Sequence, residues 1–234
     1  MKPTEPFHGQ MSDSFRVAVC IILSGGFQDA YTYCCRGSVF ANAQTGNVVL
    51  LSTALFQQEW QVALKYFIPV MSFLIGTAAA EFIHIRLKCC QKIHWRQIIL
   101  LLEILMLFAV GFLPQVLDPV ANALVSFVCA LQVQSFHKVR GHVYASTMCI
   151  GNLRTATEAL CCYLRKKDHS TLQKCLIYFG VILIFGIGAG LGGVLTLAVG
   201  RKAIWLGCIL LSVSFVMMFT PEKVNRVCEA QQSR

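Results

Sequence analysis

Apolar runs recur along the chain at Phe15 to Cys35, Tyr66 to Arg86, Gln97 to Leu113, Val120 to Phe136, Cys175 to Val199 and Ala203 to Phe219. Each is close to the roughly 20 residues that a helix needs to cross the hydrocarbon core of a bilayer. Each is therefore predicted as a spanning helix. Two stretches break the pattern. In residues 37–56, the apolar piece Val48 to Phe56 is too short to span, and Asn42-Ala43-Gln44-Thr45-Gly46-Asn47 precedes it. In residues 145–163, Ser146-Thr147-Met148-Cys149-Ile150-Gly151-Asn152 holds the same place. Thr45 suits an N-cap, and Gly46 tolerates backbone angles other residues avoid. The expectation is an extended piece followed by a half-helix starting near Thr45, and its counterpart near Ile150. Length alone leaves open whether these segments cross or re-enter.

The order span, broken segment, span, span occurs twice. The Gly-Asn pairs stand 105 positions apart (151 − 46). Small-residue strips, Gly76-Thr77-Ala78-Ala79-Ala80 and Gly188 to Gly193, hold the same place in each half. Such strips let helices pack closely in lipid. Residues 15–114 are thus expected to form a first membrane repeat and 119–219 a second, between tails at 1–14 and 220–234.

Charge decides the topology. With six spans, all 20 Lys and Arg except Arg36, Lys65, Arg201 and Lys202 fall on one side. With eight spans the bias nearly vanishes. Lys and Arg resist translocation, so six spans with both termini cytoplasmic is the expected arrangement. Three spans per half is odd, so the second half enters the membrane from the opposite side. The expected fold is all-α integral membrane, six transmembrane helices as two inverted three-helix repeats, each with a broken or re-entrant half-helix.

Composition agrees with the class. The chain is 56% hydrophobic and 13% charged, where a soluble domain is about a quarter charged. The net charge of +9 lies in short loops rather than in a patch, which argues against a nucleic-acid partner. The twelve cysteines lie mostly inside apolar runs and form no CxxC, so neither zinc nor a redox motif is indicated. Gly188-Ala189-Gly190-Leu191-Gly192-Gly193 matches GxGxxG inside an apolar span with no strand before it, and reads as helix packing. No metal-binding, Walker or hydrolase motif occurs, so no enzyme activity, no cofactor and no metal are expected.

Candidate chemistry follows from polar groups at membrane depth. Asp29, with Gln28 before it, leads the candidates, because a carboxylate at the bilayer centre costs about 2.5–3.5 kcal/mol and must face protein or water. Glu103 lies mid-span and invites the same argument. Thr45, Gly46, Asn47, Gly151 and Asn152 offer hydroxyl, amide and backbone groups at the two breaks, with capping as their alternative role. Arg154 is expected either to complement an anion near Asp29 or to pair with Glu158 at i+4.

Gly26-Phe27-Gln28-Asp29-Ala30, then Asn42-x-x-Thr45-Gly46-Asn47, resembles the YoaK-like family of uncharacterised bacterial multi-pass membrane proteins. Ser146 to Leu153 resembles that family's second Thr-Gly-Asn-Leu signature, with Ile150 where Thr is usual. Val133 stands where a polar residue usually follows the glutamine. The resemblance implies a polytopic plasma-membrane protein and supplies no substrate. Together these readings lead to a secondary transporter or channel-like carrier of a small solute, with ion or proton coupling through Asp29 and Glu103. The alternative is a non-transporting scaffold or sensor. The lipid bilayer is the expected partner, and at 26.0 kDa a homodimer is compatible.

Overall fold

The computed structural model describes residues 14–87, 94–139 and 142–219. Both tails, the basic loop holding Lys88, Cys89, Cys90 and Lys92, and Arg140 lie outside the described residues, and with them the expectation for the termini.

Among the described residues the chain forms eight α-helices: α1 (Phe15–Cys35), α2 (Gln44–Phe56), α3 (Trp60–Leu87), α4 (Trp95–Val110), α5 (Asp118–Ser135), α6 (Cys149–Lys166), α7 (His169–Val199) and α8 (Ile204–Met217). Two-residue strands β1 (Lys138–Val139) and β2 (His142–Val143) pair antiparallel before α6. The fold is all-helical apart from this short ladder. Three stretches are long and apolar enough to cross a membrane: Trp60–Leu87, Gln115–Ser135 and His169–Met217. The last, at 49 residues, is more than twice the length of one crossing and is interrupted at Gly200, whose φ is +65°. Of the other expected spans, α1 is 21 residues long but carries a polar stripe, while α4 has 16 residues.

Burial repeats along the chain with fixed shifts. A shift of 104 positions carries the buried residues Val17, Ile21, Ile22, Phe27 and Gln28 of α1 onto Ala121, Val125, Ser126, Leu131 and Gln132 of α5. The same shift carries Ile99, Leu100, Glu103, Leu107 and Val110 of α4 onto Ala203, Ile204, Gly207, Leu211 and Ser214. A shift of 105 takes Asn47 and Ala54 of α2 onto Asn152 and Ala159 of α6. A shift of 112 takes Ala63, Tyr66, Gly76 and Ala80 of α3 onto Cys175, Tyr178, Gly188 and Gly192 of α7. The shift grows because α6 has 18 residues where α2 has 13.

Packing obeys the same exchange. α1 packs on α7 as α5 packs on α3, α2 lies on α3 as α6 lies on α7, and α1 meets α8 as α5 meets α4. The α4–α8 contact relates to itself. Each half therefore completes its core with a helix from the other. The small-residue strips make this possible. A Cβ on Gly188 would strike the Leu23 carbonyl, and one on Gly76 would lie 2.7 Å from the Phe127 carbonyl. Leu23 and Phe127 are related by the same shift of 104.

Side-chain contacts separate two ends of the bundle. At one, Arg36 from the end of α1 reaches the carbonyls of Val110 and Leu113 after α4 and the Asp118 carboxylate opening α5. Arg201, before α8, also donates to Leu113. At the other, Gln134 of α5 meets Glu81 of α3, the His84 ring of α3 lies tilted against Trp95 of α4, and Tyr178 of α7 donates to the Val143 carbonyl. The end of α2 leads to the start of α3 and that of α6 to the start of α7. The two half-helices accordingly run towards opposite ends.

Candidate functional site

The site is built where the two broken segments meet α1. A helical stripe of buried polar residues, Ser24, Gln28 and Thr32, runs up α1 at a spacing of four. A second stripe, Asn122, Ser126, Cys129 and Gln132, runs along α5. The stripes join where the Cys129 thiol donates to the Gln28 Oε1 at 3.1 Å, while the Gln28 amide donates to Ser24 Oγ at 2.9 Å.

Asp29 is 8% exposed. Its Oδ1 accepts the backbone N–H of Asn42 at 2.7 Å, and the N–H groups of Ala41 and Ala43 also face it. These groups lead directly into α2. The observed N-cap is Ala43, with no side-chain cap, so the half-helix begins before the expected Thr45. The N–H groups of Gln44 and Gly46 turn to the local carbonyls of Asn42 and Ala43, while Asp29 holds the extended piece just before the helix. Cys149, the first residue of α6, also lies within electrostatic reach of Asp29. One carboxylate therefore stands near the positive ends of both half-helices. In the second half the corresponding residue is Val133, and α6 has no equivalent latch.

Asn42 and the Ser146-Thr147 pair reach the centre from opposite segments. Asn42 donates its amide to the Gly25 carbonyl at 3.0 Å. A Cβ on Gly25 would lie 2.7 Å from the Thr147 methyl and 3.2 Å from Gln132 Nε2. Gly25 is thus the close-approach point of both breaks. Around it the Gln132 Oε1, Ser146 Oγ and Thr147 Oγ1 are buried without a hydrogen-bond partner among the described residues. Glu103 of α4 is fully buried, and neither carboxyl oxygen has a partner there. Cys129 lies within electrostatic reach of both Glu103 and Asp29.

The expected site residues separate into groups. Gln28, Asp29 and Glu103 lie in this interior. Asn47 and Asn152 are buried but bond backwards, to the carbonyls of Phe40 and Ala145, each at 2.7 Å and each seven residues earlier. They staple the two breaks in the same way. Thr45 and Gly151 are exposed and Gly46 is half-buried on the outer side of the half-helices. Arg154 has its side chain 81% exposed and pairs with Glu158 at 2.8 Å, rather than with Asp29. Sequence reasoning passed over Ser24, Asn42, Ser126, Cys129, Ser146 and Thr147 as site residues. For Ser24 on α1 and for Ser126 and Cys129 on α5, a spacing of three and four from neighbouring polar residues is the available signal.

Two open clefts lie on the surface. One, of about 620 Å³, follows α3 from Gln44 past Phe73 and Thr77 to Glu81 and Gln134. The other, of about 530 Å³, lies beside Thr157, Glu158, Cys161 and Arg165 of α6. Among the described residues no group of three or more His, Cys, Asp or Glu side chains could hold a metal ion.

The profile of a family described as "Protein of unknown function (DUF1275)" matches residues 17–217. Neither a curated protein nor a solved structure matches the chain.

Proposed function

Starting from a chain that belongs to the DUF1275 family, whose function is unknown, we propose that this protein is a secondary carrier of a small solute, built as an inverted repeat in the cell membrane. The reading takes α1, α3, α4, α5, α7 and α8 as six crossings. The half-helices α2 and α6 enter from opposite sides. At about 1.5 Å per residue, the 13 residues of α2 cover roughly 20 Å, about two-thirds of the hydrocarbon thickness. The observation that carries the proposal is the convergence of both breaks on Gly25 and Asp29, amid unpartnered hydroxyl and amide oxygens. A membrane interior bears such groups at a cost, and a transported polar solute satisfies them in turn. The open groove along α3, which begins at Gln44 beside the first break, supports approach of that solute from one end.

A non-transporting scaffold would use the same polar residues only to hold helices together. That reading accounts for Asn47, Asn152 and Gln28, which are bonded. It leaves Glu103, Ser146 and Thr147 without a role. The test is thermal unfolding of purified protein across a panel of metabolites and ions. A carrier is expected to be stabilised by one solute class and to move that class into vesicles. Stabilisation by none, with no uptake of any member, refutes the carrier reading.

A further inference from the structure

We infer that the ion coupled to transport is the proton and that Glu103, rather than Asp29, carries it; this rests on the carrier reading above. The two carboxyl groups differ in kind. Asp29 is held by backbone N–H groups of the first break and stands near the positive ends of two half-helices. These groups hold its carboxyl where it stands, so Asp29 latches the first break to α1.

Glu103 has none of this. It is fully buried in the core formed around Leu100, Leu107, Val128 and Leu211, and both its oxygens lack partners among the described residues. The titratable groups of the helices packed on α4 give it no counter-charge. Cys129 of α5 spends its thiol on Gln28, and Cys208 of α8 turns to the Ile104 carbonyl at 3.8 Å. Glu81 and His84 of α3 belong to the Trp95 end of the bundle. A charged carboxylate so placed is not sustained, so Glu103 is the neutral acid in this closed arrangement. A sodium or calcium ion needs several oxygen ligands, and among the described residues no side chain bonds the Glu103 carboxyl. A proton needs only the carboxyl group. It leaves Glu103 for water when one side opens, and is replaced from water on the other side.

The test uses the full chain in phosphatidylcholine–phosphatidylglycerol vesicles, with the proton itself as probe. Infrared spectra in mildly alkaline buffer, where exposed carboxyl groups are ionised, are expected to show a protonated-carboxyl band in the wild type. The band should be lost in Glu103→Gln and kept in Asp29→Asn. Glu103→Met, which suits an apolar core, provides a second variant and should lose the band while staying folded. A band that survives Glu103→Gln, or that vanishes only in Asp29→Asn, overturns the inference. A panel without any transported solute, together with a band that follows Glu103, refutes the carrier reading instead. A transported solute whose accumulation ignores an imposed pH gradient overturns the coupling while leaving the carrier.

Discussion

At the scale of single residues, Arg36 shows what sequence reasoning could not see. The sequence places it in a short loop, where it counts as one of a few outer cations. In the structure it is fully buried, and its guanidinium donates to Tyr31 Oη, to the carbonyls of Val110 and Leu113, and to Asp118. Asn122 then donates to the Arg36 carbonyl at 2.8 Å. Partners 74 to 86 residues away leave no local trace. Breaking a buried charge pair by deleting one member costs about 3–5 kcal/mol, so Arg36→Met should lower stability by that order in detergent thermal unfolding. Arg36→Lys should also destabilise, because an ammonium cannot reproduce the planar fork. Asp118→Asn should cost less, since the Asp118 side chain is 23% exposed and accepts one of the bonds. Equal stability of Arg36→Lys and wild type would contradict this assignment. The exposed Asp168 gives a pH prediction. Hydrogen bonds from Ser170 and Thr171 hold its carboxyl below the usual value of 3.8. Its support for the start of α7 is therefore complete above the unfolded-state value and lost as pH falls through the lower, folded one. Amide exchange at Ser170 should accelerate only in that acid range, and Asp168→Ala should remove the transition.

At the scale of elements, the broken segments were legible and their anchors were not. A short apolar run behind a Gly-Asn pair announced each half-helix. α2 starts at Gln44, beside the expected Thr45, but its N-cap is Ala43 rather than Thr45, and the Asp29 carboxylate on α1 that holds the preceding backbone leaves no local trace. The glycine strips were likewise legible as close packing, without their partners. The structure supplies these: Gly26 lies against the backbone of Phe185 and Ala189, Gly188 against that of Leu23, and Gly192 against that of Phe27. Gly190 and Gly193, in the same strip, meet nothing within 4 Å. Overpacking typically costs about 1–3 kcal/mol. Gly26→Ala and Gly188→Ala should each destabilise by at least that, because backbone atoms stand in the way. Gly190→Ala should be neutral or slightly stabilising, as helix propensity favours Ala over Gly by about 1 kcal/mol. Equal melting temperatures for Gly188→Ala and Gly190→Ala would remove the close α1–α7 contact from the account.

At the scale of the whole molecule, the halves share one burial pattern but not one chemistry. The paired glutamines, Gln28 and Gln132, keep the symmetry, while Asp29 faces Val133 and Glu103 faces Gly207 across it. Sequence reading caught the first asymmetry from the motif departure at Val133. The second depends on knowing that α4 and α8 align with a shift of 104, which only burial reveals. The central claim is that α2 and α6 reach the interior from opposite sides. The turns that follow them hold Gln58 at φ +59° and Lys167 at φ +55°, so both are sharp chain reversals suited to a short insertion. An epitope placed after Gln57 in one variant and after Lys167 in another tests the claim directly, by antibody binding to intact and permeabilised cells. The account predicts that intact cells expose the Gln57 epitope and that the Lys167 epitope appears only on permeabilisation. Binding of both epitopes to intact cells, or of neither, would contradict the inverted repeat.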